Sequence, residues 1–191
     1  MAHLSIIGTG NMGQAIAAVA TKGGHTVQRL GSKDQGTDVT GDIVVLAVPY
    51  PTVSAVIAER GESLGGKVVV DITNPLDFET FDSLTVPADG SAAEVIAAAL
   101  PQSRVLKAFN TNFASTLAGG TVGVLTTTVS IAGDDADAKA ALAEVITAGG
   151  LNAVDAGSLK RARELEALGF LQITLAANEQ ISWTGGFGIV A

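Results

Sequence analysis

Three glycines near the amino terminus have the spacing of a phosphate-binding turn. Gly8, Gly10 and Gly13 follow the pattern G-x-G-x-x-G in the stretch IIGTGNMG, after the apolar segment 3–7 and before an alanine-rich segment. Between a strand and a helix, the first glycine permits a tight turn, the second lets the backbone approach a pyrophosphate, and the third lets the helix pack close to the sheet. The free N–H groups at the helix start also attract phosphate. We therefore predict a dinucleotide site, and the competing interpretation is that the glycines only make a tight connection.

The stretch GSK at 31–33 bears on which dinucleotide is bound. Roughly twenty residues past the glycine motif, an NAD-binding protein offers a carboxylate to the ribose hydroxyls. This chain has Gly31, Ser32 and Lys33 instead. A hydroxyl and an ammonium group pair with a 2′-phosphate, whereas a carboxylate repels it. We predict NADP(H) as the ligand, and the competing interpretation is a solvated lysine in a turn.

The remaining candidate residues follow the predicted strands, because ligands of open parallel sheets bind beyond the carboxyl ends of the strands. Almost all of them are uncharged, and their amides and hydroxyls suit a ribose or a carboxamide. These candidates are Ala47, Val48, Pro49 and Tyr50 after the third strand, Thr73, Asn74 and Pro75 after the fourth, and Asn110, Thr111 and Asn112 after the fifth.

Few acid–base groups accompany these candidates. His3 and His25 precede the first two strands and are expected at the opposite edge of the sheet. Reduction of a ketone or imine usually requires a proton donor, and the nearest ones are Tyr50 and Lys107. Lys107 falls inside a strand, where we favour pairing with an acid over catalysis, and Tyr50 is equally suited to packing on adenine or ribose. We assign no catalytic residue, since hydride transfer to a flavin-like acceptor needs mainly positioning.

The pattern of strands and helices predicts the scaffold for these residues. Near-continuous apolar strands alternate with helices, which indicates an α/β fold with a doubly wound, mainly parallel sheet and helices on both faces. Only DQGTDVTG separates Lys33 from Asp42, too few residues for a strand–helix unit, so the sheet is expected to lack one edge unit. The predicted strands are 3–7, 26–30, 42–48, 67–72, 104–109, 126–133 and 151–157, and the predicted helices are 11–21, 51–60, 91–100, 134–150 and 158–181.

Residues 158–191 are expected to form a small carboxyl-terminal helix and tail that closes the pocket, packs against a second subunit, or does both. The stretch WTGGFGIVA carries the only tryptophan of the chain together with Phe187. An aromatic face suits a planar ring. We nevertheless favour the interpretation that Trp183 and Phe187 pack into the core or a dimer contact over a role as a substrate platform.

Composition limits the class of protein. The 191 residues, 47% of them hydrophobic, are enough for one core, and without a linker we expect one domain over 1–191. The formal net charge of −8 disfavours nucleic acid and anionic membranes as partners. Absence of cysteine excludes disulfides and thiolate metal sites, and we predict no metal site. The apolar runs are shorter than the roughly 18 residues of a membrane helix, and no secretory signal is recognised, so a cytoplasmic protein is expected.

The motifs GTGNMG, GSK, AVPY, DITNPL, KAFNT and DAGSLKRARELEALG occur in one order that resembles the NADP oxidoreductases dependent on the deazaflavin coenzyme F420. They also resemble the oxidoreductase domain of STEAP metalloreductases. The resemblance implies a Rossmann-type fold, commonly dimeric, that passes a hydride between NADP(H) and a small-molecule acceptor such as F420 or a flavin. It implies contacts of Thr9, Gly10, Asn11 and Met12 with pyrophosphate, of Ser32 and Lys33 with the 2′-phosphate, of Pro49 on the adenosine side, and of Asn74 and Pro75 on the nicotinamide side.

Three functions remain open at this point. The leading hypothesis is an NADP(H)-dependent oxidoreductase with a flavin-like acceptor, acting as a homodimer. An imine or hydroxyacid reductase is the second, although such enzymes need a longer helical carboxyl-terminal domain than the residues after Ser158 supply. The third is a redox sensor that binds NADP without turnover, which the scarcity of acid–base groups suits equally well.

Overall fold

The structure is a computed structural model that describes residues 1–190. Its strands are β1 (His3–Ile7), β2 (Thr26–Leu30), β3 (Ile43–Leu46), β4 (Val68–Asp71), β5 (Arg104–Lys107), β6 (Thr121–Val122), β7 (Leu125–Thr126), β8 (Thr128–Gly133) and β9 (Asn152–Gly157). Its α-helices are α1 (Asn11–Lys22), α2 (Tyr50–Leu64), α3 (Ala92–Ala99), α4 (Ala114–Gly119), α5 (Ala136–Ala148) and α6 (Ala162–Ala177), with a 3₁₀ turn at Leu159–Arg161 before α6.

A seven-stranded sheet in the order β2–β1–β3–β4–β5–β8–β9 forms the centre of the molecule. Strands β1 to β5 run parallel, β8 is antiparallel to β5, and β9 is parallel to β8. All residues of β3 and β4 are buried, as expected for strands covered on both faces. The predicted α/β architecture with a mainly parallel sheet and a carboxyl-terminal helix is therefore confirmed.

The two faces of the sheet carry separate apolar layers. On one face, Ile16 of α1 and Leu142 of α5 pack against the sheet. On the other face, Val53 of α2 and Ile96 of α3 pack with the opposite side chains of the same strands. The helices that carry the predicted motifs are thus held by continuous apolar contact with the strands that precede them.

Strand β2 is an edge strand, because within the described residues it pairs only with β1. The chain returns from β2 to β3 through residues 31–42, which contain no further strand. A complete strand–helix unit needs more residues than this connection has. The expectation that the sheet lacks one unit at this edge is confirmed.

Residues 114–127 differ from the predicted pattern. They form helix α4 and a hairpin of β6 and β7, neither of which was expected, and the predicted strand 126–133 begins only at Thr128. Residues 119–120 are both glycine, and Gly120, with φ of 77°, ends α4 and turns the chain into the hairpin. Such short elements leave no periodic pattern in a sequence, because α4 has only six residues and β6 and β7 have two residues each. Within residues 1–190, the structure contains no helix long and apolar enough to cross a membrane.

A buried cation joins the sheet to the carboxyl-terminal helix. The Nζ atom of Lys107 in β5 lies 2.7 Å from Asp71 Oδ2 in β4 and 2.8 Å from Glu166 Oε1 in α6, and it donates to the Thr73 carbonyl at 2.6 Å. The second carboxylate oxygen of Glu166 accepts the Ala92 N–H at 2.9 Å, at the start of α3. Pairing of Lys107 with an acid is therefore what the structure shows. Burial raises the pKa of the Glu166 carboxyl, and the Lys107 ammonium opposes that effect.

Replacement of this cation should destabilise the protein strongly. In Lys107→Met, Asp71 and Glu166 remain buried without their partner, and removal of one member of a buried pair typically costs about 3–5 kcal/mol. Urea unfolding at neutral pH measures the effect. The matched control is Lys139→Met, which breaks a pair with the exposed Asp155 and should cost less than about 1 kcal/mol. Equal small losses in both variants would show that the buried network contributes little to stability.

Candidate functional site

A different structural feature explains the glycine at each position of the amino-terminal motif. Gly8 has φ of 123°, and a Cβ atom there would collide with the Ala47 carbonyl. A Cβ atom on Gly13 would collide with the Gly8 carbonyl, so α1 approaches the loop closely. A Cβ atom on Gly10, in contrast, would meet no atom within 4 Å. Packing explains two of the glycines, while the third keeps a space open in front of the helix, as close approach of a pyrophosphate requires.

The start of α1 offers hydrogen-bond donors to that space. Helix α1 begins at Asn11, and its preceding residue, Gly10, makes no side-chain cap. The first intrahelical bond runs from the Gln14 N–H to the Gly10 carbonyl, at 3.0 Å. The N–H groups of the first turn have no intrahelical acceptor, and the positive end of the helix dipole lies there as well. The residues present thus fit a bound phosphate group.

The carboxyl ends of the central strands open onto one cleft made of three cavities. The first cavity, of about 410 Å³, lies between the glycine loop and the loop after β2. The second, of about 530 Å³, lies over the ends of β3 and β4. The third, of about 450 Å³, lies over the end of β5. The first two share Gly10, and the last two share Asn11, Met12 and Asn74, so adjacent cavities border the same residues.

Most of the predicted cofactor-binding residues line this cleft. Gly13 and Pro75, which are buried, and Lys33, which is exposed on the loop that carries Ser32, do not line it. The predicted residues that line the cleft are Gly8, Thr9, Gly10, Asn11, Met12, Ser32, Ala47, Val48, Pro49, Tyr50, Thr73, Asn74 and Asn110.

Arg60 lines the first cavity and was not predicted from the sequence. Its guanidinium group is buried and donates to the Thr37 carbonyl at 2.6 Å and to the Asp34 carbonyl at 2.5 Å. The Asp34 carboxylate in turn accepts the Gly31 N–H at 2.7 Å. Arg60 therefore holds the loop that carries the predicted 2′-phosphate residues. The sequence contained one indication that Arg60 is buried. It lies seven residues after Val53, which places both side chains on the same face of α2.

An amide pair occupies the junction of the second and third cavities. The Asn74 amide donates to the Asn110 carbonyl at 2.9 Å, and the Asn110 amide donates to Asn74 Oδ1 at 2.9 Å and to the Leu165 carbonyl at 2.8 Å. A Cβ atom on Gly169 would collide with Asn74 Oδ1, so α6 lies directly against this pair. A glycine inside a helix costs about 1 kcal/mol relative to alanine. The presence of this unfavourable residue within α6 was the only feature of the sequence that pointed to a close contact here.

Several polar atoms near this junction lack partners within the described residues. They are Thr73 Oγ1, Asn110 Oδ1 and Asn112 Oδ1, all of which follow β4 or β5. A buried acceptor without a partner costs about 1–3 kcal/mol. Clusters of such atoms are rare in structural parts of proteins, so they favour a ligand-binding role for this end of the cleft.

The third cavity has an aromatic wall. The rings of Phe113 and Trp183 lie 5.0 Å apart at an angle of 50°, and the Ser115 hydroxyl donates to the Trp183 carbonyl at 2.5 Å. The expected alternative of a dimer contact stays a prediction, but Trp183 is 53% exposed and therefore does not pack into the core. The reason is that the tail after α6 returns over α4, where Ser115 holds it. Phe187 is 40% exposed and does not line the cavity, whereas its N–H is held by Gln172 Oε1 at 3.0 Å.

The titratable groups near the cleft are few. His3 lies at the opposite edge of the sheet, as predicted, where its ring nitrogens contact the Thr26 and Thr40 hydroxyls. Tyr50 lines the second cavity, and burial raises the pKa of its hydroxyl, with further contributions from the carboxylates of Glu166 and Asp71. The Tyr50 hydroxyl therefore stays protonated at neutral pH. Among residues 1–190, no group of three or more His, Asp or Glu side chains is placed to hold a metal ion.

Comparison with known proteins gives consistent matches. The family model described as NADP oxidoreductase coenzyme F420-dependent matches residues 32–75. The F420-dependent NADP reductase of Methanocaldococcus jannaschii is 30% identical over 160 residues, which cover 82% of this chain and 71% of that protein. The metalloreductase STEAP3 of Rattus norvegicus is 35% identical over 112 residues, 59% of this chain and 22% of that protein. A crystal structure from Arthrobacter sp. FB24, provisionally described as an F420-dependent NADP reductase, has a TM-score of 0.86 at 25% identity, with full coverage of both chains.

The open space at Gly10 provides a direct test of the phosphate site. Gly10→Val should change the melting temperature little, because a Cβ atom there meets no atom within 4 Å, and should weaken NADPH binding at least about 100-fold by filling the approach to the loop. Calorimetric titration and a thermal melt measure the two effects. Gly119→Val is the matched control, since its Cβ also meets no atom within 4 Å and lies outside the cleft. Unchanged NADPH affinity in Gly10→Val would remove the loop from the binding site.

Proposed function

Because the chain belongs to the family of F420-dependent NADP reductases and is thus an NADP-dependent oxidoreductase, we propose that it transfers a hydride between NADP(H) and a flavin-like acceptor, F420 or a flavin. The observation that carries the proposal is the shared wall of the second and third cavities. Asn11, Met12 and Asn74 belong to both, so a ring in the second cavity and a ring in the third would meet. Hydride transfer requires this kind of approach between two ligands.

The dinucleotide is proposed to extend along the first two cavities. Its pyrophosphate would lie at the start of α1, where Gly10 leaves space and the helix offers N–H donors. Its 2′-phosphate would lie near Ser32, with Lys33 reaching it from the exposed side of the loop. Its nicotinamide would lie over the end of β4, against Thr73 and Asn74. This orientation follows the rule that ligands bind at the carboxyl ends of parallel strands.

When bound, the cofactor and acceptor would supply the chemistry, which is transfer of a hydride with both its electrons between the nicotinamide and the acceptor ring, balanced by a solvent proton. The chain contributes positioning. The amide pair of Asn74 and Asn110 fixes the polar edge of the junction. The side chains of Met12 and Ile72 give it an apolar wall that limits water. The Tyr50 hydroxyl, in the wall of the second cavity, is a proton donor near this path, although the reaction as proposed does not require it.

We further propose that residues 1–191 act as one NADP-binding unit in which the carboxyl-terminal helix and tail close the acceptor end of the cleft. Gly169 of α6 packs on Asn74, and Trp183 of the tail lines the third cavity, which supports this role. A homodimer and a cytoplasmic location stay predictions. An NADP-binding sensor without turnover remains the alternative that an activity assay decides.

The deciding experiment combines binding and turnover on one sample. Calorimetric titration with NADPH and NADH gives the nucleotide preference, and absorbance at the NADPH band follows turnover with F420, FMN, riboflavin or a ferric chelate. Tight NADPH binding with turnover of a flavin-like acceptor is the expected result. Tight binding with no turnover of any acceptor would favour the sensor, and turnover of the ferric chelate alone would overturn the flavin-like acceptor.

Charge reversal at Lys33 tests the choice of nucleotide. Lys33→Asp should raise the dissociation constant of NADPH by about tenfold or more, because the ammonium is replaced by a group that repels the 2′-phosphate. The affinity for NADH, which lacks that phosphate, should stay within about threefold. Lys160→Asp introduces the same charge change at another exposed site and serves as the control. Equal losses for both nucleotides in Lys33→Asp would contradict the assigned role.

A further inference from the structure

The wall of the third cavity is uncharged. Its lining consists of four asparagines, a serine, an alanine, and larger apolar side chains that include Met12 and Ile173. No Asp, Glu, Lys, Arg or His side chain lines it within the described residues. A cavity of this composition can bind a neutral ring by contact and by amide hydrogen bonds, but it has no cation with which to pair an anionic substituent.

The aromatic pair in this wall is held in place by the rest of the chain. Phe113 precedes helix α4 directly, and its carbonyl accepts the N–H groups of Thr116 and Leu117 at 3.1 Å. Trp183 is tied to the same helix by the Ser115 hydroxyl. A large apolar ring that is fixed at a cavity wall, yet remains half exposed, is what contact with a planar ligand requires.

The surroundings of the cavity oppose an anionic ligand. Asp77 and Glu79 lie on either side of Phe78, which lines the cavity. Hydrogen bonds from the Glu79 and Thr80 N–H groups lower the pKa of the Asp77 carboxyl, so this group is ionised at neutral pH. The net charge of −8 adds a repulsive mean field. Both effects act against a phosphate or carboxylate substituent at this end of the cleft.

From these observations we infer that the third cavity selects its acceptor by an uncharged planar ring held against Trp183 and Phe113, and that an anionic side chain on the acceptor adds no affinity. The inference rests on the proposed function, since it specifies the acceptor of the same site. Trp183 is then a specificity-determining residue. The first cavity, with Ser32 in its wall and Lys33 on the same loop, is the part of the cleft where the proposed 2′-phosphate would lie.

The chain provides its own reporter for a test, because Trp183 is its only tryptophan. Riboflavin and FMN share one ring system and differ by a phosphate, and each is titrated into the protein saturated with NADP⁺ while tryptophan emission is recorded. We expect quenching by both, with a riboflavin dissociation constant no more than about threefold above that of FMN. An FMN affinity at least about tenfold higher than that of riboflavin, or binding of FMN or F420 without binding of riboflavin, would overturn the inference.

Two variants separate ring contact from a structural role of the tail. Trp183→Phe keeps an aromatic face and should bind riboflavin within about threefold of the parent, measured by the polarisation of flavin emission, whereas Trp183→Ala should bind about tenfold more weakly. Phe187→Ala is the control, because Phe187 belongs to the same tail but lies outside the cavity wall. Riboflavin affinity unchanged in Trp183→Ala, or lowered equally in Phe187→Ala, would refute the assigned contact.

The same samples distinguish failure of the inference from failure of the proposed function. Unaltered NADPH binding by calorimetry shows that the dinucleotide part of the cleft is intact in each variant. If riboflavin does not bind while NADPH is still oxidised with another acceptor, the inference fails and the oxidoreductase function stands. If NADPH itself does not bind, the proposed function fails, and a ring bound at Trp183 would then need another explanation.

Discussion

The buried ammonium group of Lys107 is the interaction on which the ligand-facing edge of this protein depends. It contacts Asp71, Glu166 and the Thr73 carbonyl within 2.8 Å, and so it joins two strands, the turn after β4 and helix α6. Desolvation of three charged groups is costly, and such clusters give little net stability compared with an apolar core. Such clusters instead fix the relative positions of the segments that they join, because all of their hydrogen bonds form in only one arrangement. The turn that leads to Asn74 is fixed by this requirement.

A short series of contacts connects this network to the cleft. Glu166 fixes the start of α6, and the neighbouring Leu165 carbonyl accepts the Asn110 amide, which in turn donates to Asn74. Gly169, one turn further along α6, allows the helix to lie against that pair. The carboxyl-terminal helix is thus part of the binding cleft. This explains how a cleft lined almost entirely by uncharged side chains can still hold ligands in one arrangement.

How far the sequence predicts this structure depends on how local each feature is. The glycine loop, the parallel strands and the missing edge unit were predictable, because each depends on a short stretch or a simple period. Helix α4 and its hairpin are too short to have a period. Arg60 and Gly169 act through residues more than twenty positions away, and no local pattern reports such contacts. Trp183 was expected in the core or a dimer contact because large aromatic residues are usually buried, but the tether to Ser115 holds it in the wall of a cavity.

The two ends of the cleft differ in the charge of the groups that surround them. At one end, the amino terminus of α1 offers free N–H donors and Lys33 lies exposed on the loop that carries Ser32, while Arg60, paired with Glu59, holds that loop. At the other end, the wall around Trp183 contains only uncharged groups. In NADP(H) the 2′-phosphate lies on the adenosine side, the pyrophosphate joins the two halves, and the nicotinamide ring carries an uncharged carboxamide, so the proposed orientation is the one that matches both ends. In the proposed arrangement, this difference in charge also places the nicotinamide ring, rather than the adenine, next to the third cavity.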